Sequence, residues 1–486
     1  MNYKVTFNVV GRILLLNAGL MLIPLITGLI YGEFKQTLAF LMTIIISAVL
    51  GAVLLLVMKN SNQKIYAREG FFIVSLGWIT LSLIGALPFF ISREIPNYID
   101  AVFETTSGFT TTGASILTDV ETMSHCMLMW RSFTHWIGGM GILVMLTALF
   151  PYNSDRTIHI LKAEVPGPQF GKLRPKLSDT AKILYIIYTA LTIIEMIMLW
   201  IGGMPLFDSI IHTFGTAGTG GFGIRNLSIT EYSAYSQWVI AVFMFLFGVN
   251  FNIYFFTIIG KFKEAIKSTE LIVYSSITII STLIVTFNIL SISANFGEAI
   301  RLAFFQVTSI STTTGYLTAD PNTWPELSRS ILFILMFIGA CAGSTAGGLK
   351  VSRIIILFNT VKKNIKRVFY PREITTVKFE GKAVDSTTVH GINSYFVLFV
   401  MLLASGFIIL SIFNPDKGLE INLTATLSCL NNIGPYMGSS VPYDGYATFH
   451  WVSKITLIFA MLFGRLEIYP MMFMFIPKAW LNKNNI

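Results

Sequence analysis

Four glycines, each preceded by small or polar residues, recur about 100 residues apart, and this spacing indicates an internal repeat. Each glycine follows an apolar segment of helical length that opens with an acidic residue. The four acid–glycine pairs are Asp100 and Gly113, Asp208 and Gly220, Glu298 and Gly315, and Glu420 and Gly434. Glycine adopts positive φ readily and so exposes backbone carbonyls, whose oxygens can replace the hydration shell of a cation. The chemistry that this pattern predicts is cation coordination by the backbone.

Short helices are the elements that would position these glycine loops. A carboxylate stabilises the N-terminal turn of a helix, and the other end then carries a partial negative charge directed at the loop. The four segments are 99–113, 206–223, 296–316 and 419–438. Taken singly, each is equally well explained as an ordinary polar turn, and only the fourfold recurrence favours a common structure. Irregular backbone at membrane depth must be buried in protein or line a water-filled cavity, so we expect four loops around one axis.

The composition excludes a water-soluble enzyme. Of the 486 residues, 54% are hydrophobic and only 12% are charged, and the mean hydropathy is +0.69. A soluble chain carries about 25% charged residues, whereas many apolar runs here are long enough to cross a hydrocarbon core of about 30 Å. We therefore expect a polytopic membrane protein with ten spans. The predicted spans are 13–31, 38–58, 71–91, 133–150, 183–205, 238–259, 271–292, 331–349, 392–413 and 455–476.

The distribution of basic residues predicts that both termini are cytoplasmic. Most of the 34 Lys and Arg residues lie in both tails and in four loops, at 59–69, 151–182, 260–270 and 350–390. By the positive-inside rule these segments face the cytoplasm, which accounts for the net charge of +9 without nucleic-acid binding. The basic run 362–367 has two open interpretations, a patch that binds lipid headgroups or a docking surface for a cytoplasmic subunit.

The sequence has no motif of an enzyme, a metal site or a disulfide framework. It contains six histidines but no HExxH and no GxSxG motif. Cys126, Cys341 and Cys429 are odd in number and widely spaced, without the spacing of metal ligands. We therefore expect neither an enzyme nor a cofactor in this chain.

Six short stretches make the chain resemble the Trk/Ktr/HKT superfamily of potassium transporters, and within it the bacterial Trk-type membrane subunit. The stretches are 110–114, 135–141, 219–222, 312–316, 339–350 and 431–435. The resemblance covers essentially the whole chain and implies an all-α polytopic membrane protein. It implies four pseudo-repeats of span, pore half-helix, filter loop and span around a central pore, plus two N-terminal transmembrane helices. The implied domains are 1–66 for these two helices and 67–155, 156–268, 269–385 and 386–486 for the four pore repeats.

The resemblance also implies which residues line a selectivity filter that binds K⁺ through its carbonyl oxygens. They are Thr111, Thr112, Gly113, Gly218, Thr219, Gly220, Thr313, Thr314, Gly315, Asn432, Ile433 and Gly434. In this superfamily a serine at the first filter glycine accompanies sodium preference, so four glycines favour potassium. Only the glycine recurs in all four loops, and we therefore expect looser selectivity than in a fully symmetric filter. The second loop is richer in glycine, which leaves its register open by one residue.

A second glycine-rich stretch, 339–350, interrupts the predicted span 331–349. Its spacing of small residues suits a helix-packing face, but adjacent glycines with Ser and Thr weaken a helix. The resemblance implies an unwound intramembrane gate loop below the filter and an arginine beside it. The implied gate residues are Gly339, Gly343, Ser344, Thr345, Gly347, Gly348, Lys350 and Arg465.

The roles of three charged residues in or beside the predicted spans remain open. Arg465 is costly in hydrocarbon, and it either pairs with Glu467 or faces the pore. Lys350 either extends to the headgroups or contacts the gate or a regulatory subunit. Glu195 has no assigned role beyond a protonated or hydrogen-bonded contact between helices.

The function implied by the resemblance is potassium uptake across the bacterial inner membrane through a gated, channel-like path. A sodium- or proton-coupled potassium symporter, or a less selective potassium/sodium transporter, is the alternative, because coupling cannot be read from a filter sequence. Alternating-access folds usually carry inverted or twofold repeats, which argues against that class. The implied partners are a second copy of the chain and a cytoplasmic, TrkA-like nucleotide-binding ring subunit.

Overall fold

Backbone that crosses hydrocarbon satisfies its N–H and C=O groups within helices, and the computed structural model of this chain is built almost entirely from them. The structure describes residues 3–58, 67–141, 177–373, 375–438 and 445–476. The predicted boundary between the first two repeats, at 155/156, lies outside these ranges. Within them, one short antiparallel hairpin occurs, in which Lys378–Phe379 pairs with Lys382–Ala383.

Two hydrophobic stretches at the N-terminus form a helical pair. The first consists of Tyr3–Leu20 and Leu22–Ile30, and the second is Phe34–Val57. They cross at Gly11 and Gly51, where an added Cβ on either residue would contact the backbone oxygen of the other. Small residues allow this close approach of two helices within a membrane.

Each of the four repeats contains an outer helix, a short half-helix and an inner helix, numbered 1 to 4 in chain order. The outer helices are Ala67–Gly85, Leu177–Ile201, Thr269–Ile289 and Ser386–Phe413. The half-helices are Tyr98–Phe109, Leu206–Gly218, Phe296–Ser311 and Gly418–Asn431. The inner helices are His125–Met140, Ala234–Phe247, Glu326–Ile338 and Trp451–Arg465. The residues that follow each half-helix are called loops 1 to 4.

Shorter elements connect or extend these repeats. The helices are Leu87–Ser92, Phe251–Ile258, Phe262–Ile266, Val351–Phe369 and Tyr469–Met474, and the 3₁₀ turns are Pro321–Thr323 and Pro415–Lys417.

Six helices in the described ranges are long and apolar enough to span a membrane, and a bent pair makes a seventh. The bent pair is inner helix 2 followed by Phe251–Ile258, which meet at 89°. We predicted one continuous span, 238–259, at this place. Asn250 explains the difference, because its side chain accepts a hydrogen bond from Asn252 N and so starts a new helix.

Three other predicted spans also differ from the observed helices. The span 331–349 is helical only to Ile338, and 455–476 is interrupted after Arg465. The span predicted at 133–150 begins earlier, at His125, and its residues beyond 141 lie outside the described ranges. Gly339, which has positive φ, ends the first of these helices, and Glu467 and Ile468, both with positive φ, interrupt the second.

The polarity of the fold suits a protein surrounded by lipid. Only 17% of the most hydrophobic 18-residue segment of outer helix 4 is buried, so this helix presents apolar side chains outwards. By contrast, the C-terminal halves of the half-helices are buried and rich in Thr and Ser, including Thr106, Ser107, Thr308 and Ser309. The polar residues of this chain are therefore concentrated at its centre, where the four loops meet.

Candidate functional site

The four half-helices begin with acids and end in buried polar loops. The first turns contain Asp100, Asp208, Glu298 and Glu420, as the pattern predicted. Asn97 and Asn295 cap the first and third half-helices with their side chains. This arrangement of acids and caps stabilises the positive end of each helix dipole, and the negative ends lie towards the loops.

All four half-helices end in the same C-terminal motif. Beyond the end of each helix, a single residue has left-handed backbone, with φ between 53° and 59°. These residues are Thr111, Thr219, Thr313 and Asn432. The amide of the next residue donates to the carbonyl five residues earlier, at distances of 2.8 to 2.9 Å. These donor–acceptor pairs are Thr112 to Ser107, Gly220 to Gly215, Thr314 to Ser309, and Ile433 to Ser428. This is the Schellman motif, and its fourfold repetition aligns the loops residue by residue.

Three of these left-handed residues are threonines, which is unusual. A β-branched residue with positive φ is strained, and such strain persists only where surrounding contacts enforce it. Asn432 of loop 4 tolerates the conformation at low cost. The strain is therefore concentrated in loops 1 to 3, at residues that the sequence assigned to ion coordination.

Two residues further on, each loop has a glycine with positive φ, and these four form the glycine ring. Its members are Gly113, Gly221, Gly315 and Gly434. An added Cβ at each would lie closer than 3.0 Å to a carbonyl oxygen of the next loop, a separation that real Cβ atoms essentially never show. The oxygens met in order are those of Gly220, Thr314, Ile433 and Thr112. Loop 1 thus contacts loop 2, loop 2 contacts loop 3, loop 3 contacts loop 4, and loop 4 contacts loop 1.

This alignment corrects the register of loop 2 by one residue. We predicted Gly218, Thr219 and Gly220 there, but Gly218 is the last residue of half-helix 2 and the equivalent triad is 219–221. Gly220 contributes its carbonyl to the ring, and Gly221 is the ring glycine. An aromatic residue directly follows both Gly221 and Gly315, and that shared dipeptide could have fixed the register from the sequence.

The glycine-rich stretch, 339–350, lies next to loop 3. It is non-helical from Gly339, with positive φ at Gly339, Gly343, Gly348 and Lys350, until a helix resumes at Val351. The amide of Gly347 donates to Thr313 Oγ1 at 2.7 Å. The stretch is therefore not a helix-packing face, and it contacts a strained residue of the loop directly.

Polar contacts fix the middle of this stretch against inner helix 2. Within the stretch, Ser344 Oγ donates to the carbonyl of Cys341 at 2.6 Å. Thr345 Oγ1 donates to the carbonyl of Phe247, the last residue of inner helix 2, at 3.3 Å. Cys341 N donates to Gly248 O, and Phe251 N donates to Gly343 O. The bend in inner helix 2 frees backbone groups that the glycine-rich stretch then satisfies, which explains why the two breaks face each other.

Arg465, the last residue of inner helix 4, joins this stretch to the first repeat. Its guanidinium donates to Thr345 O at 2.9 Å, to Gly139 O at 2.7 Å and to Gly138 O. The proposed pairing with Glu467 is not observed, because the carboxylate of Glu467 instead binds Arg353. A cationic group thus lies between backbone carbonyls of repeats 1 and 3.

Lys350 is buried, at 1% exposure, and its Nζ donates to Ala346 O within the same stretch. It therefore does not extend to lipid headgroups, and of the two interpretations the contact with the glycine-rich stretch is observed. With Arg353 and Arg465 it gives this part of the protein three buried basic side chains.

Known proteins match this chain over nearly its whole length. The family model for TrkH, described as a cation transport protein, matches residues 36–269 and 264–483. The chain belongs to the TrkH family. The Trk system potassium uptake proteins TrkH of Salmonella typhimurium and Escherichia coli are each 34% identical to it, covering 99% of this chain and 100% of theirs. The crystal structure of the potassium transporter TrkH from Vibrio parahaemolyticus matches with a TM-score of 0.87 at 30% identity, over 99% of this chain and 100% of that one.

The membership agrees with a multi-pass, helical membrane protein of four repeats. Some residues that sequence reasoning missed connect the loops from outside the ring. One such group is the buried ion pair of Arg131 and Glu104, whose Nε and Oε1 atoms are 2.5 Å apart. Neither side chain is more than 5% exposed.

Arg131 and Glu104 connect loops 1 and 2. Glu104 accepts from Ile116 N at 2.9 Å, just after loop 1, and Arg131 donates to Gly223 O at 2.8 Å, just after loop 2. The guanidinium also stacks 3.6 Å above the ring of Phe222. The sequence signal is a charged residue, Arg131, in an apolar run two positions before the predicted span 133–150.

Further polar side chains join neighbouring loops. His135 bonds Gly108 O at 2.8 Å and accepts from Phe222 N, so both of its nitrogens are used by the backbone. Tyr316 OH donates to Phe222 O between loops 2 and 3, and Asn432 Nδ2 donates to Thr112 Oγ1 between loops 4 and 1. The ring is thus braced at several of its junctions by side-chain hydrogen bonds.

Proposed function

We propose that this chain takes up potassium across the bacterial inner membrane, with the glycine ring and its carbonyl oxygens as the selectivity filter. The observation that supports this best is the closed order of contacts from loop 1 through loop 4 and back to loop 1. Such closure surrounds a common centre with backbone oxygens that can replace a cation's hydration shell. The names of the full-length relatives, potassium uptake proteins, agree with this substrate.

The proposed filter residues are those of the four aligned triads: Thr111, Thr112 and Gly113; Thr219, Gly220 and Gly221; Thr313, Thr314 and Gly315; Asn432, Ile433 and Gly434. The negative ends of four half-helix dipoles favour a cation there, and the acids in the first turns stabilise the half-helices by compensating their positive ends. No side chain intervenes at the ring glycines, so potassium is bound by main chain alone. The differing side chains at the other positions make the four quarters unequal, and we expect moderate rather than strict selectivity against sodium.

The glycine-rich stretch is the proposed gate, with Gly339, Gly343, Ser344, Thr345, Gly347, Gly348, Lys350 and Arg465 as its working residues. Its support is the bond from Gly347 N to Thr313 Oγ1, which brings the stretch against the filter. Arg465 places a guanidinium between repeats 1 and 3, where it repels a passing cation by Coulomb interaction. Opening of the path requires that Arg465 leave the carbonyls of Thr345, Gly138 and Gly139. It also requires that the stretch move away from Thr313.

We further propose that both termini are cytoplasmic and that the chain works as a homodimer with a TrkA-like, nucleotide-binding ring subunit. The positive-inside rule supports this orientation. The helix Val351–Phe369 directly follows the proposed gate and exposes Lys362, Lys366 and Arg367 towards its C-terminal end, which makes it the natural contact for a regulator.

Ion uptake into liposomes that contain the purified chain tests the proposal. The potassium and sodium gradients are varied independently, at constant and at imposed membrane potential. We expect potassium to follow its own electrochemical gradient, more slowly when the regulator is absent. Potassium flux that strictly requires a sodium or proton gradient would establish coupled symport through the same ring, and flux without preference among cations would overturn the filter.

A further inference from the structure

We infer that Glu270 is a positioning residue that holds the glycine-rich stretch closed. This inference rests on the proposed gate and extends it to a residue outside the stretch. Glu270 belongs to the first turn of outer helix 3 and is 4% exposed. Neither the repeat pattern nor the resemblance singled it out.

The contacts of Glu270 reach both flanks of the stretch. One oxygen, Oε1, accepts from Ala342 N at 2.7 Å and from Ser352 N at 3.1 Å. Ala342 lies near the start of the non-helical stretch and Ser352 lies just after its end. One carboxyl oxygen thus fixes two backbone points ten residues apart.

The helix end that carries Glu270 is itself held by the cytoplasmic hairpin. Glu380, at the hairpin turn, accepts from Ser268 Oγ at 2.9 Å, from Thr269 N at 3.0 Å and from Glu270 N at 3.1 Å. A carboxylate at a helix N-terminus satisfies free amides and the positive dipole. The hairpin therefore fixes the position of the backbone that carries the Glu270 side chain.

The hairpin is also packed on the helix that follows the stretch. Phe379 and Val377 are buried against Ile356 and Ile392, and Asn359 Nδ2 donates to Lys378 O at 3.0 Å. A force applied to the hairpin from the cytoplasm thus reaches the stretch by two routes, through Val351–Phe369 and through Glu380 and Glu270. The second route ends on hydrogen bonds that can break without unfolding any helix.

Two readouts test this inference on the full chain in liposomes. The first is basal potassium flux, with the potassium/sodium ratio. The second is the rate at which a water-soluble thiol reagent modifies Cys341, which is buried and adjoins Ala342, read by peptide mass spectrometry separately from Cys126 and Cys429. The variants are Glu270→Ala, Glu270→Gln and Glu380→Ala, and the matched control is Glu373→Ala, an exposed residue of the same region that pairs with Lys366.

For Glu270→Ala we expect Cys341 labelling and basal flux each to rise by about tenfold, with an unchanged ion ratio, because two buried backbone N–H groups lose their acceptor. Glu270→Gln keeps an oxygen acceptor and should lie between Ala and wild type. Glu380→Ala should raise labelling by a smaller factor and Glu373→Ala not at all.

Labelling of Cys341 at the wild-type rate in folded Glu270→Ala would overturn the inference. Faster labelling with unchanged flux would confirm the role of Glu270 and overturn the proposed gate instead. If Glu270→Ala does not fold, Glu270→Gln and Glu380→Ala decide the question, since wild-type labelling in both contradicts the inference.

Discussion

Gly113 leaves no room for a β-carbon, because one would lie closer than 3.0 Å to the carbonyl oxygen of Gly220 in the next loop. The same relationship holds for the other three ring glycines. A side chain at position 113 must therefore displace a proposed ion ligand of a different repeat.

Gly113→Ser should raise sodium permeation relative to potassium, because the displaced carbonyl widens or deforms one side of the ring. The ratio of initial uptake rates into liposomes measures this. Gly203→Ser is the matched control, since Gly203 also has positive φ, at 90°, but open space around it. An unchanged ratio in Gly113→Ser, from protein of normal stability, contradicts the filter assignment of loop 1.

Arg465→Met should increase basal potassium flux. The substitution keeps an unbranched apolar stem but removes the charge and the donors to Thr345, Gly138 and Gly139. Because the lost charge repels every cation alike, we expect the potassium/sodium ratio to stay constant. Arg301→Met, at a partly exposed arginine of half-helix 3, serves as control. Lower flux in Arg465→Met would show that the arginine supports the path rather than obstructs it.

Removing one partner of the Arg131–Glu104 pair should destabilise the protein by about 3–5 kcal/mol, because it leaves a buried charge uncompensated. Thermal unfolding in detergent measures the loss for Arg131→Met and Glu104→Gln separately. The double substitution should cost less than the sum of the two. Strictly additive losses would mean that the two residues act independently, despite their separation of 2.5 Å.

Glu195→Gln tests whether protons drive the transport. Glu195 is fully buried in outer helix 2, so an ionised carboxylate there is costly, and a neutral glutamine of the same shape should be accommodated. If transport is channel-like, potassium flux and its dependence on pH should match the wild type. Loss of proton-driven accumulation with retained downhill flux would instead identify Glu195 as a coupling site.

The sequence sufficed for the repeats because their signals are local. An acid, a helical apolar segment and a glycine occur within one stretch of chain. The left-handed ends of the half-helices could not be predicted in this way, because three of the four left-handed residues are threonines. The register of loop 2 was off by one because Gly220 and Gly221 are chemically identical; the features that distinguish them are Phe222, which follows Gly221, and the close approach of Gly221 to Thr314 O.

The residues that sequence reasoning missed act over long distances. Glu104 and Arg131 lie on different helices, and Glu270 contacts Ala342, 72 positions later in the chain. Nothing in the periodicity of a helix indicates which distant backbone a carboxylate will meet. Asn250 is a residue type that caps helices and so indicated a break there, but the uninterrupted hydropathy of 238–259 favoured one continuous span.

The contact of loop 4 with loop 1 has a consequence for how the protein is made. Asn432 Nδ2 bonds Thr112 Oγ1 across 320 positions, so the ring closes only after the last repeat has left the ribosome and entered the bilayer. Until then loops 1 and 3, each with a strained threonine, lack the neighbour that completes them. Chains truncated within the fourth repeat should therefore be recognised as unfinished and degraded by membrane proteases before the open ring can act as a leaky pore.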